Sequence, residues 1–143
     1  MILEHATCID LDGAGILLRG PSGSGKSDLA LRLIDGGARL LSDDYVSLSA
    51  RDGLLHATPP ESIAGIMEVR GIGLISLPNA SSCTVSLVVD LVDREQVPRL
   101  PEPEQIEIDG IMVSRIVLDP FEISAAAKIR LAVEATQDRI RRV

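Results

Sequence analysis

The stretch Gly20–Ser27, GPSGSGKS, decides how this 143-residue chain is read. It fits G-x-x-x-x-G-K-[ST], a loop whose backbone N–H groups point inward and cradle phosphate oxygens. Gly20, Gly23 and Gly25 let the main chain approach a phosphate where a Cβ would stand in the way, and Pro21, Ser22 and Ser24 complete the loop. Lys26 brings an ammonium to the β- and γ-phosphates, and the Ser27 hydroxyl is suited to ligate Mg²⁺. Of fourteen basic residues, only Lys26 and Lys128 are lysines. A chain that otherwise uses arginine has kept a lysine where a compact charge serves better than a guanidinium fork.

Working outward, residues 6–11 and 15–19 (ATCIDL and GILLR, with turn-forming residues in DGAG) predict a hairpin whose second strand runs straight into the loop. KSDLALRLIDGG predicts a helix from Lys26 with Leu29, Leu33 and Ile34 on one face, ended by Gly36 and Gly37. ARLLSDD is a short strand closed by two carboxylates, and YVSLSA and LLHAT flank the turn ARDG as another hairpin. PPES is a loop, and IAGIMEVRGIG places Glu68 and Arg70 two apart on a strand, sharing one face. LISL is a short strand, PNASS a loop, and TVSLVVDLV an apolar run suited to a central, buried strand. DREQVPRLPEPEQ, with three prolines, is an exposed excursion. IEIDGIMVSRIVL holds a further DG turn between strands, and from Ser124 onward the chain reads as an amphipathic helix. Its basic end, RIRRV, complements the helix dipole. A doubly wound protein would alternate strand and helix from the start. This order predicts a mixed α/β fold: a mixed sheet with hairpins, one helix after the phosphate loop and one at the C-terminus.

The bulk numbers exclude several classes. A net charge of −7 argues against a protein that works by neutralising a nucleic-acid backbone. No stretch approaches the roughly 20 apolar residues of a membrane-spanning helix, and MILEHATCID lacks the basic and apolar regions of a signal peptide. Cys8 and Cys83 lie far apart in sequence without metal-ligand spacing, and read as two buried free thiols of a cytoplasmic protein.

Asp43 and Asp44 follow one helix and one strand after the loop. A P-loop protein presents a Mg²⁺-side carboxylate in that region, and a hydroxyl acceptor needs a general base there. His5, taken alone, reads as an exposed histidine near a terminus.

Together, His5, the hairpin, GPSGSGKS, the DD pair, the PP dipeptide and EVRGIGLI resemble the HPr kinase/phosphorylase family, over about residues 4–120. MEVRGIG looks like that family's own signature and discriminates better than the phosphate loop. The resemblance implies the family's catalytic domain as a single unit, residues 1–143, without its separate N-terminal domain, as in a short proteobacterial form. It implies a P-loop core similar to that of phosphoenolpyruvate carboxykinase. It implies an ATP- and Mg²⁺-dependent serine kinase acting on HPr, the phosphocarrier of the bacterial sugar phosphotransferase system, and a homo-oligomer, a hexamer in the family. Carried over, residues 20–27 hold the nucleotide, with Lys26 catalytic, and Ser27 and Glu68 serve Mg²⁺. Asp44 takes the acceptor serine's proton, and returns one when inorganic phosphate attacks phosphoserine. His5 lies near the transferring phosphate, and Asp43 supports the metal or the substrate.

Two features depart from the family pattern. PNASSC is shorter than the glycine-containing connection expected between LISL and TVSLVV. The family's arginine before its last helices has no counterpart in DPFEISAAAKIR, leaving Lys128, Arg130 or Arg115 as stand-ins for the phosphorylase reaction. The competing readings are a small-molecule P-loop kinase, which would carry an arginine-bearing lid, and a non-catalytic nucleotide-binding regulator.

Overall fold

The computed structural model describes residues 1–61 and 64–143. Its elements run β1 (Ile2–His5), β2 (Thr7–Leu11), β3 (Ala14–Arg19), α1 (Lys26–Asp35), β4 (Arg39–Ser42), β5 (Tyr45–Arg51), β6 (Leu54–Thr58), β7 (Ile66–Val69), β8 (Gly73–Ser76), β9 (Cys83–Leu91), β10 (Glu104–Ile108), β11 (Ile111–Leu118) and α2 (Ala125–Thr136). Ser62, the end of the PPES loop, and Ile63, the start of IAGIMEVRGIG, lie outside the described residues. No described helix is long and apolar enough to cross a membrane.

Local chemistry sets three of the hairpins. Asp12-Gly13, Asp52-Gly53 and Asp109-Gly110 all take positive φ at both positions. That is the requirement of the two-residue turn whose twist matches antiparallel strands. They join β2 to β3, β5 to β6 and β10 to β11.

The strands form one mixed sheet in the order β1-β5-β6-β9-β3-β2-β4, with β10 and β11 branching from β9. β9 pairs in parallel with β3 along one edge. Its other edge is shared, antiparallel to β6 near Cys83 and parallel to β11 from Leu87 onward. This is the central strand expected from TVSLVVDLV, and its side chains feed two cores. Leu87, Val89 and Leu91 join Ile9, Ile16 and Leu18 on the face that α1 and α2 cover with Leu29, Leu33, Ile129 and Val133. Val85 and Val88 join Cys8, Leu17, Val46, Leu48 and Leu55 on the opposite face. Burying each such side chain contributes about 1.5–3 kcal/mol. β7 and β8 form a separate two-stranded ribbon.

Three expectations need correction, and one strand has no counterpart in the sequence reading. Ile2–His5 is a strand, held by antiparallel pairing with β5; four residues at a terminus carry no local signal strong enough to predict it. The last helix stops at Thr136 and does not continue to Val143. Asp138 turns left-handed at φ 56°, and Arg139 folds back to Glu134 at 3.1 Å. The RIRRV tail therefore lies past the helix, whose last turn contains no basic residue. Arg70 sits in the turn after β7, not on the strand with Glu68. Finally, Cys8 and Cys83 are neighbours, with sulfurs 3.9 Å apart, because β2 and β9 flank β3; Cys83 is only partly buried.

Candidate functional site

β3 ends at Arg19, and the loop turns directly into α1 at Lys26. Gly23 and Gly25 take φ of 82° and 94°, a region costly to any residue with a Cβ. Gly25 caps the helix, and its carbonyl accepts the Leu29 N–H at 3.0 Å. The orphan N–H groups of the helix's first turn face the loop, with the positive end of its dipole.

Lys26 is 5% exposed, and its ammonium donates to the carbonyls of Gly20 at 2.5 Å and Pro21 at 3.1 Å. It pairs with no carboxylate among the described residues. A buried cation held only by carbonyl dipoles is a place for an anion. It fits a phosphate chain lying against the loop.

A cavity of about 680 Å³ opens from this loop. Ser22, Gly23, Gly25, Lys26 and Ser27 form one wall, and Asp43, Asp44, Glu68 and Arg70 stand around them. Asp43 follows β4, and its Oδ1 accepts both the Ser27 hydroxyl and the Thr7 hydroxyl at 2.9 Å. One carboxylate oxygen thus ties β4 to β2 and to the first turn of α1. Asp44 is exposed and left-handed at φ 70°, within a tight turn closed by the Tyr45 N–H on the Asp43 carbonyl at 2.9 Å. Three-residue turns with a positive central φ are strained, and such strain gathers at functional positions. The Ala6 N–H donates to the Asp44 carbonyl at 2.9 Å and helps hold it.

Lys26, Ser27, Asp43, Asp44 and Glu68 are thereby brought around one space. His5 is not in the cavity lining. It is exposed and lies opposite Tyr45, the residue after Asp44, in the β1–β5 pairing, with ring centroids 5.1 Å apart. Arg70 does line the cavity, and the sequence reading did not place it there; its one signal was its position directly after the Glu68 strand. The three stand-in cations are engaged elsewhere. Lys128 pairs with Glu122 at 2.5 Å, Arg130 reaches the Leu33 carbonyl at 3.4 Å, and Arg115 binds Asp90 and Glu104.

Asp90 forms a brace behind the loop. It accepts two hydrogen bonds from Arg19, at 2.8 and 2.9 Å, and one from Arg115 at 2.5 Å, linking β3, β9 and β11 one residue before Gly20. Burial pushes the Asp90 carboxyl up, but the hydrogen bonds and charges of the two arginines outweigh it and hold it below the ordinary carboxylate value. The Cys8 thiol is pushed well up, by its contact with Cys83 and then by burial.

A phosphate loop between strand and helix, facing carboxylates across a cavity on a mixed sheet, defines a P-loop nucleotide-binding protein. Comparison with known proteins narrows the class. The HPr Serine kinase C-terminal domain family matches residues 1–141, and the chain belongs to that family. An HPr kinase/phosphorylase of Streptococcus thermophilus LMD-9 is 34% identical, covering 92% of this chain and 45% of that protein. One from Clostridium novyi NT is 46% identical over 52% of this chain and 24% of its own length. The chain thus spans less than half the length of these curated relatives. The solved structure of the HPr(Ser) kinase/phosphatase from Coxiella burnetii superposes with a TM-score of 0.85 at 28% identity, covering 97% of this chain and 98% of that one.

Proposed function

We propose that this chain is an ATP-dependent protein serine kinase that phosphorylates the phosphocarrier HPr. The observation that carries the reading is the cavity in which Lys26 and Ser27 face Asp43, Asp44 and Glu68. Family membership and the names of the relatives support the acceptor. A loose phosphoryl transfer asks mainly for positioning and charge neutralisation, and these side chains supply a cation, oxygen ligands and a base.

In this reading the loop N–H groups and the Lys26 ammonium bind the nucleotide phosphates. Ser27, Asp43 and Glu68 offer the hard oxygen donors that Mg²⁺ prefers, too few to cage it alone, in keeping with an ion that takes remaining ligands from water and phosphate. Once bound, Mg²⁺ would neutralise charge developing between the β- and γ-phosphates. Asp44 accepts the serine hydroxyl proton as the hydroxyl oxygen bonds to the γ-phosphorus and the bond to ADP breaks. His5, opposite Tyr45 beside Asp44, approaches the transferring phosphate. We place the reaction in the cytoplasm, in a homo-oligomer whose subunits each use residues 1–143 as one catalytic domain.

The test is transfer of labelled γ-phosphate from Mg·ATP to purified HPr, beside an HPr whose acceptor serine is alanine, with wild-type chain and Asp44→Asn. Label on wild-type HPr alone, lost in Asp44→Asn while nucleotide affinity is kept, is the expected result. Tight ATP binding with no label on HPr would overturn the kinase reading and favour a nucleotide-sensing regulator.

A further inference from the structure

The chain holds one Phe, one Tyr and no Trp, so its core is built from aliphatic side chains. The single Phe, Phe121, is 71% exposed, and it stands against the phosphate loop. A methyl group on Gly25 would lie 3.1 Å from Pro120 Cγ and 3.3 Å from Phe121 Cε1.

The sheet order shows which side of the loop this is. β3 delivers the loop; two strands to one side, β4 leads into Asp43 and Asp44. To the other side, past β9, β11 ends at Leu118 and leads into the Pro120–Phe121 segment. A nucleoside triphosphate has its transferable phosphate at one end and its base at the other. With the phosphates over the loop and the transferable end at the carboxylates, the base leaves toward β11.

The segment there is anchored with the ring left outside. The Phe121 N–H donates to Asp119 Oδ1 at 2.9 Å. Arg32 of α1 donates to the carbonyls of Pro120 and Glu122, the latter at 3.3 Å, and Lys128 pairs with Glu122. The backbone on both sides of Phe121 is fixed before any ligand arrives, so stacking on its ring would cost little ordering.

We infer that Phe121 is the platform on which the base of the bound nucleotide stacks. This rests on the nucleotide reading of the loop given above and adds the subsite for the base. The experiment is a binding titration of the wild-type chain, Phe121→Ala and Phe121→Tyr with Mg·ATP and with Mg·tripolyphosphate, which has the phosphates but no base. Phe121→Ala should weaken ATP by about 5- to 100-fold, the range for removing a base-stacking aromatic. Phe121→Tyr should keep wild-type affinity, and tripolyphosphate binding should be equal in all three. Unchanged ATP affinity in Phe121→Ala, or ATP and tripolyphosphate weakened together, would overturn the inference while leaving the loop's role intact. Wild-type chain that binds neither ligand would overturn the nucleotide reading and this inference with it.

Discussion

Replacing Asp90 with asparagine tests whether the phosphate loop rests on an ionic brace or only on sheet pairing. Three hydrogen bonds from two guanidinium groups converge on this carboxylate. Bonds of that charged kind contribute about 1.5–3 kcal/mol each when well formed. The side chains of Arg19, Asp90 and Arg115 are 27%, 19% and 22% exposed, which puts the cluster between a surface pair and a buried one. Surface pairs are worth about 0–1 kcal/mol, and breaking a buried pair costs about 3–5 kcal/mol. The asparagine side chain would keep one carbonyl acceptor but turn an amide N–H₂ toward donors, so we expect a loss of about 2–3 kcal/mol. For a domain of this size that lowers Tm by about 6–9 °C.

The pH dependence adds a second readout. The folded-state value of Asp90 is depressed, so its contribution is fully present above the unfolded carboxylate value near 3.9 and is lost as pH falls through the lower folded value. Asparagine does not titrate there. Urea unfolding of the two proteins should therefore show a constant deficit for Asp90→Asn at neutral pH that shrinks below about pH 4. A deficit under about 0.5 kcal/mol at pH 7, or one that grows on acidification, would refute the brace.

Three further outcomes are expected. Lys26→Met should weaken Mg·ATP binding about 100-fold in a calorimetric titration, because the ammonium pairs with no carboxylate among the described residues and its charge is left for the phosphates. Gly15→Ala should destabilise the fold by about 1–3 kcal/mol in urea, since its Cβ would stand 2.6 Å from both Cys83 Sγ and the Thr84 carbonyl. A thiol-alkylating reagent should modify the partly buried Cys83 well before Cys8, read by mass spectrometry. Because the Cys8 value is raised, its contribution to stability is full below the unfolded thiol value near 8.5 and is lost as pH rises through the folded value. Cys8→Ala should therefore flatten the alkaline fall in the urea midpoint.

What the sequence could show follows the range of the interactions involved. The phosphate loop and the three Asp-Gly hairpins are legible because a few consecutive residues dictate their backbone: glycines where φ must be positive, and a lysine where a buried charge faces carbonyls. β9 is legible because burial on both faces demands an unbroken apolar run. β1 is not, since Ile2–His5 becomes a strand only by pairing with β5, which begins far along the chain at Tyr45. The thiol contact is hidden for the same reason, 75 residues separating Cys8 from Cys83. The end of α2 was obscured because Gln137 to Val143 offers no glycine or proline; the helix stops where Asp138 turns left-handed and Arg139 folds back onto Glu134. In the candidate site the two limits meet. Asp43 could be singled out by position, but its orientation is set by Thr7, and Thr7 reaches it only because β2 lies between β3 and β4. The hairpin that precedes the phosphate loop therefore does more than extend the sheet: it supplies the hydroxyl that, with Ser27, fixes the carboxylate facing the phosphate loop. A protein that began at its phosphate-loop strand, as doubly wound folds can, would have to hold that carboxylate some other way.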